Sequence, residues 1–141
     1  MRRQRGFTLL ELLVVITIMA IATAGVGLAL RDSGQTQLER ESERLAALLE
    51  SARAQSRASG VAVRWRVMPP QGFRFDGLPP TNLPTAWLDA GTQVLGPGVL
   101  VLGPEPLIGP QQVVLTRADS PGRAMRVATD GLRPFTAEPL Q

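Results

Sequence analysis

The sequence predicts an α+β protein: one long N-terminal helix whose second half lies against a small antiparallel β-sheet. Three observations predict it. No residue from Leu12 to Leu30 is charged, and the run is almost wholly apolar. Leu38, Leu45, Leu48, Leu49 and Ala52 then recur at three-, four- and seven-residue steps, the spacing of one helical face. Beyond Gly60 come short Val- and Leu-rich runs divided by Gly and Pro, the texture of strands and turns.

The first element is preceded by Arg2, Arg3, Arg5 and Gly6 and opens Phe7-Thr8-Leu9-Leu10-Glu11. At 1.5 Å per residue, a helix from Phe7 to Leu30 spans roughly 36 Å, enough to cross a bilayer core of about 30 Å. The three arginines orient such a span with its N-terminus in the cytoplasm. Glu11 is the anomaly. A charge inside a membrane helix costs on the order of 3 kcal/mol or more, and it calls for a partner. A cut between Gly6 and Phe7 would create an α-amino group one helical turn from Glu11. That amine would neutralise the carboxylate within the helix or in a neighbouring copy. Two plainer readings compete. An ordinary membrane anchor explains the arginines and the apolar run, but not Gly6-Phe7 or Glu11. A conventional or twin-arginine secretory signal would be cut after Ala22-Thr23-Ala24. The mass of the mature protein separates them.

The second element is the continuation of the helix over residues 31–60. Gly34 is expected to loosen or kink it. The apolar stripe is expected to hold it to a sheet. Arg40, Glu41, Glu43, Arg44, Glu50, Arg53 and Arg57 are placed on other faces, with Arg40–Glu43 and Glu50–Arg53 as favourable three-apart pairs. Gly60 is a suitable residue to end the helix.

The remaining residues, 61–141, read as the sheet. Val61–Val67 is a strand with Val63, Trp65 and Val67 on one face and Arg64 and Arg66 on the other. Pro69–Gly72 is a turn into a second strand at Phe73–Phe75. A loop over 76–92 is expected to be pinned to the core by Trp87 and Leu88. Further strands are expected at Val94-Leu95, Val99–Leu102, Val113–Thr116 and Met125–Ala128. Asp130-Gly131 predicts a tight hairpin into a last strand near Leu132–Phe135. Glu138–Gln141 is expected to be a loose tail.

Composition narrows the functions. All fifteen basic residues of this 141-residue chain are arginine, and lysine, histidine, cysteine and tyrosine are absent. The usual zinc ligands and any disulfide are therefore excluded. Without Arg2, Arg3 and Arg5, 12 arginines face 12 acids. The mature chain thus lacks the one-sided charge of a phosphate-binding surface, and a nucleic-acid partner is not expected. Arg64, Arg66 and Arg74 read as a solvated sheet face. Gly122-Arg123-Ala124-Met125-Arg126 puts its two arginines on opposite faces of a strand. No nucleophile elbow, P-loop or metal motif is present. Asp76, Asp89, Asp119 and Asp130 read as turn residues. No catalytic residue, cofactor or metal site is expected, and the chain is not expected to be an enzyme.

Arg5-Gly6-Phe7-Thr8-Leu9-Leu10-Glu11, followed by about 20 apolar residues, resembles the class III signal of type IV pilins and type II secretion pseudopilins. The resemblance implies a type IV pilin-like fold. It implies a leader at 1–6, cut by a prepilin peptidase after Gly6, with N-methylation of Phe7 by the same enzyme. It implies that Glu11 supports ordered assembly. Residues 7–30 would be the transmembrane and filament-core helix, 31–60 its amphipathic continuation and 61–141 a periplasmic domain. The helix closing on Ala58-Ser59-Gly60, and Ala128-Thr129-Asp130-Gly131 near the end, resemble the H-type minor pseudopilins. They also resemble the related FimT/FimU class of minor type IV pilins. The implied partners are the major pseudopilin, other minor pseudopilins and the inner-membrane assembly platform. The chain would be a single-pass inner-membrane protein before assembly into a periplasmic pseudopilus. The alternative implied role is a minor pilin of a type IV pilus, in assembly or DNA uptake.

Overall fold

The computed structural model describes residues 6–140. Arg2, Arg3 and Arg5, and the last residue Gln141, lie outside the described residues. Helix α1 covers Leu9–Ser59. Seven strands follow: β1 (Val63–Val67), β2 (Phe73–Asp76), β3 (Thr92–Leu95), β4 (Val99–Gly103), β5 (Gln111–Arg117), β6 (Ser120–Thr129) and β7 (Thr136–Leu140). The protein is α+β with a type IV pilin-like layout. The chain forms two compact units, Met1–Gly34 and Gln35–Gln141.

In the first unit, side chains from Leu9 to Ala29 are exposed. Two of its hydroxyls are satisfied within the helix: Thr17 Oγ1 donates to the Leu13 carbonyl at 2.8 Å and Thr23 Oγ1 to that of Met19 at 2.9 Å. These hydroxyls return to their own helix, which suits an apolar solvent. The helix assignment continues through Gly34. A single glycine costs only about 1 kcal/mol relative to alanine, too little to interrupt a helix of this length.

In the second unit, α1 buries Leu38, Leu45, Leu49 and Ala52, while Leu48 is half-buried. Ser42 and Ser56 share the stripe. Their hydroxyls donate to the Leu38 and Val61 carbonyls. Glu41 and Arg53, assigned by the sequence to other faces, are buried at 1% and 3% exposure. Helical geometry explains this. At about 100° per residue they lie roughly 60° to either side of the stripe's centre, with Arg44 and Glu50 farther out on the same two flanks. Each flank carries a Glu-x-x-Arg pair that grips a different loop. Glu41 Oε2 accepts the Leu88 and Asp89 N–H groups at 2.6 and 3.3 Å, while Arg44, paired to Glu41 at 3.0 Å, donates to the Ala86 carbonyl. On the other flank Glu50 accepts the Phe135 N–H at 3.0 Å. Arg53 donates to the Gly131 carbonyl at 2.9 Å and the Pro106 carbonyl at 3.4 Å. The expected Arg40–Glu43 pair does not form; Glu41 takes Arg44 instead.

Gly60 ends the helix in the left-handed region at φ +69°, with its N–H donating to the Ser56 carbonyl. β1 then buries Val63 and Trp65 completely and exposes Arg64. It pairs antiparallel with β2 on one side and β4 on the other. The second sheet has the order β3-β5-β6-β7. The structure therefore has two small antiparallel sheets where the sequence predicted one. The cause is local. β3 and β4 are adjacent in the chain, but Gly96 and Gly98, at φ +87° and +42° around Pro97, send β3 to β5 and β4 to β1. Runs of apolar residues identify strands, not their neighbours. Between the sheets, the Gln111 side-chain amide accepts from the Val101 N–H at 2.7 Å and donates to the Val101 carbonyl at 2.8 Å.

Other expectations are corrected. Trp87 does pack on the core, 4.6 Å from Phe73 between ring centroids. Leu88, however, is exposed, and it is the Leu88 N–H that holds the loop. The tight hairpin is Ala118-Asp119, which joins β5 to β6. Asp130-Gly131 instead opens a longer loop, and the last strand is Thr136–Leu140, paired along β6 from Ala128 to Ala124. Residues 138–140 are thus laddered, not loose. The loop forms because the Asp130 carboxylate accepts the Leu132 and Arg133 N–H groups at 2.9 and 2.7 Å. Gly131 (φ +90°) also passes against the Ile108 carbonyl, leaving no room for a Cβ.

Candidate functional site

The candidate site is the entry to α1. Gly6, Phe7 and Thr8 precede the helix. Thr8 Oγ1 accepts the Glu11 N–H at 3.2 Å, and the Thr8 carbonyl accepts the Leu12 N–H at 3.2 Å. Thr8 is therefore the N-cap residue and Glu11 the third helical residue, the spacing of a capping box. The helix starts at Leu9, two residues after the start at Phe7 that the sequence reading used. Gly6 and Phe7 are exposed, Phe7 by 82%.

Glu11 is exposed on the apolar stretch and makes no ion pair with any described residue. The contrast with Glu41, which meets two backbone N–H groups and an arginine, is chemical as much as positional. Leu9–Ser59 contains a window long and apolar enough to cross a membrane, by length and composition. Gly6, Phe7 and Glu11 thus lie on one short segment, with Gly6 and Phe7 ahead of the helix and the carboxylate in its first turn. Thr8 was missed as a contributor. Its signal was present: Thr-x-x-Glu directly before an apolar run.

Several other charged groups are engaged within the fold. Asp76 pairs with Arg66 at 3.0 Å and with Arg74, so the arginine strip of the first sheet is divided by an acid. Arg126 pairs with Glu138 at 2.8 Å across β6 and β7. Arg117 gathers Asp119, Asp89 and Gln37. The hydrogen bond that the Arg117 guanidinium donates to Asp119 holds Arg117 above its ordinary value, against the opposing effect of burial, and Arg117 in turn holds the Asp119 carboxyl below its own. The backbone N–H of Arg133, then its guanidinium, hold Asp130 at about 2. Among the described residues no three histidine, cysteine, aspartate or glutamate side chains gather as metal ligands.

Residues 1–27 match the prokaryotic N-terminal methylation motif. No curated protein matches the chain, and no solved structure does. The motif match covers Gly6, Phe7 and Glu11 together. It supports a type IV pilin-like or pseudopilin protein, processed by a prepilin peptidase and assembled with other pilin-like subunits.

Proposed function

We propose that the chain is a minor pseudopilin of type II secretion, of the H type, a structural subunit near the tip of the pseudopilus and not a catalyst. The single observation that supports this reading is Glu11: a carboxylate without an ion-pair partner among the described residues, in the first turn of an apolar helix and within the residues that match a methylation motif. A group so placed is costly in a membrane alone and is stabilised when a cation arrives. Cutting between Gly6 and Phe7 supplies that cation as the Phe7 α-ammonium, on this or a neighbouring copy. The H-type assignment is supported by the helix that closes on Ser59-Gly60 and by Ala128-Thr129-Asp130-Gly131 before the final strand. In this role the domain reaches the periplasm and the apolar half of α1 leaves the inner membrane to pack in the filament. The major pseudopilin, the other minor pseudopilins and the assembly platform are its partners.

Intact-mass measurement tests the processing. A chain starting at N-methylated Phe7 is expected, and a start near Gly25 overturns it. Co-purification with secretion pseudopilins, and loss of outer-membrane export when the gene is deleted, test the system. Pilus loss with normal export would assign the chain to the minor pilins. A DNA-uptake role is disfavoured by the Arg126–Glu138 pair, which occupies one of the two arginines of the Gly122–Arg126 segment.

A further inference from the structure

We infer that Thr8 is a positioning residue for cleavage: its side chain stops the helix at Leu9 and thereby keeps the Gly6–Phe7 bond outside the helix, open to the peptidase. This rests on the processing reading above but adds a residue and a mechanism to it. The argument begins with what a peptidase needs. A scissile bond must present its carbonyl carbon to attack and its neighbouring N–H and C=O groups to the enzyme. Inside a helix those groups are hydrogen-bonded to the next turn and screened by side chains. The structure leaves Gly6 and Phe7 outside α1, and the boundary is set by one side chain, because Thr8 Oγ1 accepts the Glu11 N–H.

The sequence on both sides favours helix strongly enough for the boundary to matter. Leu9, Leu10, Leu12 and Leu13 propagate a helix well, and propagation is cooperative. Without a cap at Thr8 the helix can gain a turn upstream, with Gly6, itself an acceptable cap residue, taking over. Phe7 would then be helical and the bond before it would lie in the first turn. Close to a bilayer the drive is greater than in water, since an N–H left bare at a helix start is costly in an apolar medium. The Thr8 hydroxyl removes that drive by satisfying the Glu11 N–H.

The test uses the full-length chain in detergent or lipid with purified prepilin peptidase, and variants Thr8→Val, Thr8→Ser and Thr8→Asn. Valine keeps the shape and loses the acceptor. The cap acts by setting the fraction of substrate with that bond outside the helix, so Thr8→Val should raise the apparent KM roughly 2- to 30-fold, the population change that a lost cap produces. It should leave kcat unchanged. Serine and asparagine, both strong caps, should restore wild-type cutting, and hydrogen exchange at the Glu11 amide should be faster only in the valine variant. Wild-type KM in Thr8→Val overturns the proposal. So does a defect in Thr8→Asn as deep as in Thr8→Val, which would mean direct recognition of the threonine. If wild-type chain is not cut after Gly6 at all, the processing reading falls instead. In that case equal Glu11 amide exchange in wild type and Thr8→Val would overturn the cap as well.

Discussion

The two halves of α1 solve the same problem in opposite ways. Both are apolar on at least one face and both carry a glutamate close to that face. In Gln35–Ser59 the apolar stripe is covered by the chain's own sheets, and Glu41 is fully partnered. From Leu9 to Ala29 the apolar side chains are exposed, and Glu11 has no ion-pair partner among the described residues. The difference teaches where each half completes itself. The second half is finished by folding. The first half is long and apolar enough to cross a membrane, and in the proposed role it is finished by a bilayer and then by other helices of its kind.

The comparison is broken most severely by attacking the stripe. Leu49→Ala removes a fully buried side chain and should destabilise the domain by about 2–5 kcal/mol, read as the shift in a denaturant midpoint of the full chain in detergent. An unchanged midpoint would mean that the stripe does not hold the helix to the sheets. Glu41→Ala comes next. It strands the Leu88 and Asp89 N–H groups and frees the Ala86–Asp89 loop, with an expected loss of about 1–3 kcal/mol and faster hydrogen exchange at those two amides.

A smaller effect is expected from acid. The Asp130 carboxyl is held at about 2 by the Arg133 and Leu132 N–H groups and by the Arg133 side chain. An unfolded aspartate titrates near ~4, so the unfolded chain binds the proton first. The contribution is therefore complete above that value and is lost as pH falls through about 2. Asp130→Asn should flatten this part of the acid unfolding curve, and an unaltered curve would refute the assignment. The smallest effect on folding is expected from Glu11→Ala: a wild-type midpoint and intact Gly6–Phe7 cutting, yet failure to enter filaments. If that variant assembles normally, the contrast between the two glutamates has no functional meaning.

Much of this was legible in the sequence, for identifiable reasons. The uncharged run to Leu30, the stripe from Leu38 to Ala52, the Gly60 stop and the Val63–Trp65 face each follow from periodicity, which is a local property. The segment Gly6–Glu11 was legible because its residue types are unusual together. What was hidden depends on partners distant in sequence. Nothing near Glu41 or Arg53 announces that loops 40 to 80 residues away supply their hydrogen bonds. Asp130-Gly131 has the composition of a tight turn, but Asp130 folds back on Arg133 and the strand begins only at Thr136. Thr8 is legible too, as the first residue of Thr-x-x-Glu directly before an apolar run.

The amide of Gln111 has a consequence for crowding. A bare strand margin recruits whatever chain lies alongside, and tightly stacked copies would be the nearest recruits. On β4 that margin is plugged at Val101 by a side chain imitating a neighbouring backbone. On β7, an edge of the other sheet, Pro139 has no N–H to lend and Glu138 brings charge. Copies meeting along these two margins would thus touch through side chains and stay separable, instead of fusing into a continuous ribbon.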